Sequence, residues 1–274
     1  MITYIPDGTE EQKAIERTTH LAISAHQDDI EFMAYAPIAE CFGNQDKWFG
    51  AIIVTDGAGS PRSGLYADYT DEQMKEVRVV EQKKAAMVGE YGFLAMLSHP
   101  SKEVKDAGNA KIIEELADLI RRAKPRYLYT HNLADKHETH VATALKVITA
   151  LRTLSPEERP EQVYGCEVWR DLDWLCDSEK VYLDCGAHPN LMRCLSAVFD
   201  SQIAGGKRYD LAAEGRRLAN ATFSASHACD TYSALNYAMD LTPLMNEREN
   251  IVGYITGYID EFRQAVLQVI RKFI

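Results

Sequence analysis

In Thr19-His20-Leu21-Ala22-Ile23-Ser24-Ala25-His26-Gln27-Asp28-Asp29-Ile30-Glu31, an apolar run of strand length, Leu21 to Ala25, ends abruptly in an imidazole and three carboxylates. Adjacent Asp side chains repel, and holding both ionised at one edge of a sheet needs a cation or a proton to offset them. A divalent metal meets that need most simply. The stretch therefore predicts a buried strand that delivers a metal site at its carboxyl end.

Working outward, residues 31–43 predict a helix ending at Gly43, with Pro37 as a kink. Trp48 to Val54 is a second apolar run, closing in Thr55-Asp56-Gly57-Ala58-Gly59-Ser60. Thr70-x-x-Gln73 is a capping box, and Met74, Val77, Val80, Lys84 and Val88 follow at helical spacing. Tyr91 to Leu97 reads as a third strand, residues 112–123 as a helix stopped before Pro125, and Arg126 to Thr130 as a fourth strand. After the polar segment 131–140, Val141, Ala144, Leu145, Ile148 and Leu151 give one more helical face. Strand alternating with helix in this way predicts an α/β fold, a Rossmann-like three-layer sandwich on a mainly parallel sheet. Ligands in such sheets sit beyond the carboxyl ends of the strands. The loops 26–31, 55–64 and 131–140 all leave such ends, so they are expected to meet on one rim.

The rest is a smaller C-terminal part. Gln162 to Trp169 and Lys180 to Asp184 read as strands, and residues 190–202 and 211–220 as helices. Residues 224–247 receive no assignment. From Ile255 to Ile274 the apolar spacing predicts an amphipathic helix, expected to pack on the core. No linker, repeat or composition shift divides the chain, so residues 1–274 are expected to form a single domain.

A hydrophobic fraction of 46% without low-complexity tracts predicts a fully folded chain. The net charge of −11, with no basic patch, disfavours nucleic acid and anionic membrane as partners. The opening Met-Ile-Thr-Tyr-Ile-Pro-Asp-Gly has neither part of a signal peptide, and no apolar run approaches the ~20 residues of a membrane span. Six cysteines (Cys41, Cys166, Cys176, Cys185, Cys194 and Cys229) form no C-x-x-C pair and read as reduced thiols. A cytoplasmic location is the expectation.

His26 and Asp29 are three apart where a strand turns into a helix, and His137 and His140, also three apart, open another helix. His26, Asp29 and His140 would supply two nitrogens and one oxygen, the open three-ligand set of a catalytic zinc, or of another divalent transition metal. Asp28 is then left beside the metal as a general base, and His137 on the other side as a donor to a developing oxyanion. Asp135 is expected to orient His137. His20, His99, His188 and His227 are assigned no role, and neither is His131 at the end of the fourth strand. G-x-G-x-x-G, G-x-x-x-x-G-K-[ST] and G-x-S-x-G are all missing, which leaves nucleotide binding and a serine nucleophile without a motif.

These residues resemble the PIG-L/LmbE-like family of metal-dependent de-N-acetylases. The family's A-H-P-D-D-x-E stands here as Ala25-His26-Gln27-Asp28-Asp29-Ile30-Glu31, and its T-D-G as Thr55-Asp56-Gly57. R-x-x-E-x-x-x-A appears as Arg78, Glu81 and Ala85, D-x-H-P-D-H is similar to Asp135 to His140, and a later S-Q pair stands as Ser201-Gln202. The resemblance implies the same assignment: zinc on His26, Asp29 and His140, Asp28 as base and His137 as electrophilic partner. It further implies that Arg62, after T-D-G, contacts sugar hydroxyls. Gln27 replaces Pro, Glu138-Thr139 replace Pro-Asp, and Ser98-His99-Pro100-Ser101 stands where the family often has an acidic residue for the sugar. The ligand set transfers and the sugar identity does not. The expected function is removal of an acetyl group from an N-acetylglucosamine-like small molecule, and a homo-oligomer fits the resemblance. Cleavage of another amide such as a thiol conjugate, phosphoester hydrolysis, or non-catalytic sugar or metal binding are the alternatives.

Overall fold

A computed structural model describes residues 1–274, and their strands form one eight-stranded sheet. Strands β1 (Ile2–Tyr4), β2 (His20–Ser24), β3 (Phe49–Thr55), β4 (Phe93–His99), β5 (Tyr127–His131), β6 (Gln162–Cys166), β7 (Val181–Asp184) and β8 (Leu235–Asp240) run in the order β1-β4-β3-β2-β5-β6-β8-β7. The five from β4 to β6 in that order are parallel. β1 joins β4 antiparallel, and β8 lies antiparallel between β6 and β7. Every residue of β2 and β3 is buried, as expected of parallel strands covered on both faces. Alternation along them sorts the core into two layers. Leu21, Ile23, Ile52 and Val54 face one, and Ala22, Ala51 and Ile53 face the other.

The helices are α1 (Glu11–Glu16), α2 (Asp29–Met33), α3 (Tyr35–Cys41), α4 (Asp71–Val88), α5 (Ser101–Val104) and α6 (Ala110–Ala123). They continue as α7 (Glu138–Thr153), α8 (Pro189–Ala197), α9 (Asp200–Ile203), α10 (Tyr209–Phe223) and α11 (Ile251–Arg271). The expected helix over 31–43 is two helices. Ala34, at φ −122°, separates them, because Pro37 can neither bond the carbonyl of residue 33 nor avoid clashing with it. The Thr70–Gln73 capping box forms as read, with both reciprocal bonds present. The face that α4 buries is a different one from the Val77–Val80–Lys84 stripe. Val80 is exposed, whereas Arg78, Glu81, Gln82, Ala85 and Ala86 are buried with Met74. Strand β8 falls in the stretch that received no assignment. The terminal helix begins at Ile251; none of its residues is fully buried, but Ile251, Tyr254, Ile255 and Tyr258 pack half-buried on the larger core cluster, so the expected core packing holds for its first turns.

Chain direction along the sheet reverses between β2 and β5. From β2 the chain moves outward through β3 to β4, then returns to β5 on the other side of β2 and moves on to β6. The crevice beyond the carboxyl ends at such a switch point is where open α/β sheets bind ligands. Residues 26–31 leave β2 there, and residues 131–140 leave β5.

Candidate metal centre and its cavity

The turn from β2 into α2 is tight. Asp28 takes a φ of 85°, a region a non-glycine residue occupies only when its surroundings enforce it. Here the Gln82 side chain accepts from the Asp28 N–H at 3.1 Å, and Arg78 donates to both the Gln27 carbonyl and the Asp28 carboxylate. Asp29 then opens α2, and its Oδ2 accepts from the backbone N–H of His26 at 2.8 Å. From the other side of the switch point, α7 begins at Glu138 and buries His140 in its first turn.

His26 Nδ1 lies 3.1 Å from Asp29 Oδ2 and 3.2 Å from His140 Nε2, and His140 Nε2 lies 3.2 Å from Asp29 Oδ2. These three atoms form a nearly equilateral triangle. A tetrahedral zinc with bonds of about 2.0–2.1 Å has ligand–ligand edges of about 3.3 Å, so the donor set fits this metal in kind and in spacing. Burial favours the neutral acid for Asp29, yet His140 and His26 outweigh it and hold the carboxyl well below its usual range. Burial works against charge on His140 too, and Asp29 and Asp135 raise it to about 9.

Asp135 serves a different histidine from the one expected. Its Oδ2 lies 3.2 Å from His140 Nδ1, while His137 contributes only its backbone N–H to Asp135 Oδ1. With one proton held on Nδ1 by Asp135, a metal at the triangle would take the place of the second proton on Nε2. His131, left without a role, is buried with its ring stacked on His140 at 3.9 Å. Its Nε2 accepts from the Ala25 N–H at 2.8 Å, which occupies the lone pair that a metal would need. Burial and His140 hold His131 well below its ordinary pKa, so the ring is neutral. It buttresses the site from behind. His20 and His99 lie elsewhere, bonded to Thr19 and Glu115.

Above the triangle opens a cavity of about 570 Å³ whose lining includes His26, Asp28, Asp29 and His137. Burial, with Asp29 adding and Arg78 opposing, pushes Asp28 up to about 6. Burial beside His140 and His26 lowers His137 to about 4. His137 stacks on His140 at 4.4 Å, and its Nδ1 has no partner. Arg62 is placed elsewhere. Its guanidinium is held by the Ala58 carbonyl and the Asp71 carboxylate, and its neighbours Ser60 and Pro61 line the cavity instead. An exposed partner on the first turn of α4 draws the side chain away from the rim.

Much of the wall comes from segments without a motif. Trp169, Lys207, Arg208, Tyr209 and Arg216 form one side of the cavity. Lys136 and Lys207 both lie over the Trp169 ring, at 5.9 and 5.3 Å. Beneath, Glu81 accepts from the Ser201 N–H and hydroxyl, each at 2.7 Å, and pairs with Arg78 at 2.9 Å. The R-x-x-E and S-Q segments are thus the two halves of one buried network behind Asp28.

No curated protein matches the chain. Among solved structures it is similar to N,N'-diacetylchitobiose deacetylase from Pyrococcus horikoshii, with 10% identity and a TM-score of 0.64 over 85% of this chain and 87% of that one. The conserved protein TT1542 from Thermus thermophilus gives 17% identity and 0.63 over 82% and 95%. GalB, the 4-carboxy-2-hydroxymuconate hydratase from Pseudomonas putida, gives 17% identity and 0.61 over 85% and 99%. These likenesses establish the α/β fold. In sequence, residues 21–151, from β2 into the last turn of α7, match the PIG-L family, described as GlcNAc-PI de-N-acetylase.

Proposed function

We propose that the chain is a zinc-dependent amidohydrolase that removes the acetyl group from an N-acetylglucosamine-like small molecule. The observation that carries this reading is the triangle of His26 Nδ1, Asp29 Oδ2 and His140 Nε2 beneath a cavity into which a further carboxylate, Asp28, also faces. The family match over residues 21–151 and the deacetylase among the structural relatives support it. Zinc, or another divalent transition metal, would supply a Lewis acid for the acyl oxygen and bring the pKa of water toward ~7. Asp28 takes the proton of the attacking water and returns it to the leaving nitrogen. Arg78 fixes the carboxylate for that task through Oδ2. His137, uncharged, donates an N–H to the oxyanion of the tetrahedral intermediate. Asp135 keeps the His140 tautomer.

Asp28→Asn should lower kcat by a factor on the order of 10²–10⁴ while stoichiometric zinc is retained. His140→Ala should lose the metal. Loss of zinc from Asp28→Asn, or full zinc in His140→Ala, would reverse the assigned roles. Substrate is read by amine release from zinc-loaded protein across N-acetylated sugars.

A second reading rests on Lys207 and Arg216 in the cavity lining, which suit an anionic group on the substrate, whereas Arg208 beside them is paired with Asp210. The same centre could then cleave a different amide, such as a thiol conjugate, or a phosphoester. That the fold also serves a hydratase shows that fold does not fix the reaction. Acetate release without phosphate release favours deacetylation, and the converse favours the phosphoester.

A further inference from the structure

Residues 56–70, between β3 and α4, form a connection far longer than the ~2–6 residues usual between a strand and a helix. Both of its ends are fixed. Gly57 stands against Gln27 and Arg78, and the Thr70–Gln73 box caps α4. Between them no residue from Ala58 to Tyr69 is buried, and the backbone hydrogen bonds close within residues 57–69, as from Ser60 to Gly57 and from Tyr69 to Tyr66. Arg62 reaches only as far as Asp71, at the start of α4. One other side chain leaves the segment by a hydrogen bond. The Tyr66 hydroxyl donates to Asp200 Oδ2 at 2.7 Å, at the first residue of α9.

That bond joins the two sides of one stretch of the cavity rim. Gly59, Ser60 and Pro61 line the cavity from the connection, and Gly206 and Lys207 line it from the chain after α9. The same two sides also meet through small groups. A Cβ on Gly64 would stand 3.4 Å from the Ala204 carbonyl oxygen, and one on Gly205 would stand 3.2 Å from that of Pro61. The sides differ in how they are held. α9 is anchored beneath through Ser201 and Glu81, whereas the connection spans a hollow of about 560 Å³ walled by Tyr66, Tyr69, Val77, Val80 and Val198. Instead of resting on α4, it leaves Val80 50% exposed. A segment with so little buried surface opens at low cost, and here one exposed hydrogen bond opposes that opening.

We propose that residues 58–69 are a strap over the cavity, latched by Tyr66 to Asp200, and that release of the latch lets the strap swing into the hollow so that ligand can pass. Opening takes Gly59, Ser60 and Pro61 out of the cavity wall and leaves α9 in place on Glu81. Tyr66→Phe removes the latch and keeps a ring against Tyr69, whose centroid lies 5.2 Å from that of Tyr66. Hydrogen exchange on the full chain should be about tenfold faster over residues 58–69 in Tyr66→Phe and in Asp200→Ala, and no faster again in the double variant. The melting temperature should not change. Entry is read separately, with Ala213→Cys as a thiol in the cavity wall on α10. The background replaces Cys176, Cys194 and Cys229, the three cysteines that are not buried, by Ser. In metal-free protein a bulky fluorescein maleimide should label this thiol about tenfold faster once Tyr66→Phe is added, in step with the exchange. Methyl methanethiosulfonate, a much smaller reagent, should react at one rate in both. Neither measurement depends on turnover or on bound metal, so the strap can fail while the assigned chemistry stands, and the reverse. Exchange over residues 58–69 that is unchanged in Tyr66→Phe overturns the latch, and exchange that quickens throughout the chain does so too. Maleimide labelling that stays at the rate of the latched protein overturns the control of entry.

Discussion

Arg78 is 1% exposed and ties the Asp28 carboxylate to the turn before it and to α4. Its Nη2 meets the Asp28 carboxylate at 2.9 Å and the Gln27 carbonyl, and its Nη1 meets Glu81 at 2.9 Å. Removing one partner of a buried ionic network strands the others, at a cost of about 3–5 kcal/mol. Arg78→Met should therefore lose about that much stability in urea unfolding, and Asp28→Asn should lose far less. A loss below about 1 kcal/mol for Arg78→Met would show that Glu81 and Asp28 find other partners. Glu31 poses a different problem. Burial pushes its carboxyl from 4.5 up to about 8 despite bonds from Tyr91 and Gln82, and its Oε2 has no partner. Between those two values the folded chain holds a proton that the unfolded chain has released. Stability contributed by this group is thus present below about pH 4.5 and falls as pH rises toward 8. The slope approaches about 1.4 kcal/mol per pH unit. Glu31→Gln keeps a neutral oxygen for Tyr91 and should flatten this decline between pH 5 and 8. A variant as pH-dependent as wild type in that window would place the titration elsewhere.

The rim turn after β3 shows how closely the elements are fitted at the switch point. Gly57 takes a φ of 76°, and a Cβ there would stand 2.7 Å from Gln27 Oε1 and 3.0 Å from Arg78 Cγ. Gln27 in turn donates to the Thr55 carbonyl, tying the β2–α2 turn to the end of β3. A left-handed backbone costs a non-glycine residue about 1–2 kcal/mol, so Gly57→Ala should destabilise by that much. It should also lower kcat by displacing the Gln27–Arg78 pair from Asp28. Wild-type turnover in Gly57→Ala would mean that the rim loop moves independently of the base. The elements that could be read from sequence are those whose burial is apolar. β2, β3 and α6 follow from apolar runs such as Leu21–Ala25, and the start of α4 follows from the Thr70–Gln73 cap. The inward face of α4 escapes such a reading because it is largely Arg78, Glu81 and Gln82, and hydrophobic periodicity cannot register a face buried for its charges. β8 receives no assignment because its second buried face carries Asn236 in place of an apolar residue, which breaks the continuous apolar run expected of a strand covered on both sides. Asn236 is buried against Arg217 and Glu167, a polar partnership that only three dimensions reveal. Asp135 could be read as an orienting carboxylate, but its partner, His140 or His137, depended on how α7 starts.

The molecule as a whole joins a half that holds the proposed metal ligands to a half that supplies much of the cavity wall. Residues 21–151 contain His26, Asp29 and His140, but that half is not self-sufficient. β6 pairs with β5 along Tyr127 to His131, covering the strand edge beside the site. Ser201 fills the acceptors of Glu81, and Arg217, 1% exposed, donates to the Glu31 and Phe32 carbonyls at the end of α2. Without the second half, β5 would present an open edge, Glu81 would lose two donors, and the carbonyls of α2 would lose their cap. Val163, Leu172, Leu235, Tyr237 and Met239 would also leave the larger core cluster. A fragment ending at Leu154 should therefore fail to fold. It should melt without a cooperative transition, expose apolar surface to dye, and bind zinc only weakly. Supplying residues 155–274 in trans should restore a cooperative melt, since the lost contacts lie on a strand edge and on helix faces rather than across one threaded segment. A fragment that melts sharply alone and holds one zinc would show that the ligand half is a domain in its own right. The second half would then be an addition that shapes the cavity and leaves the metal centre to itself.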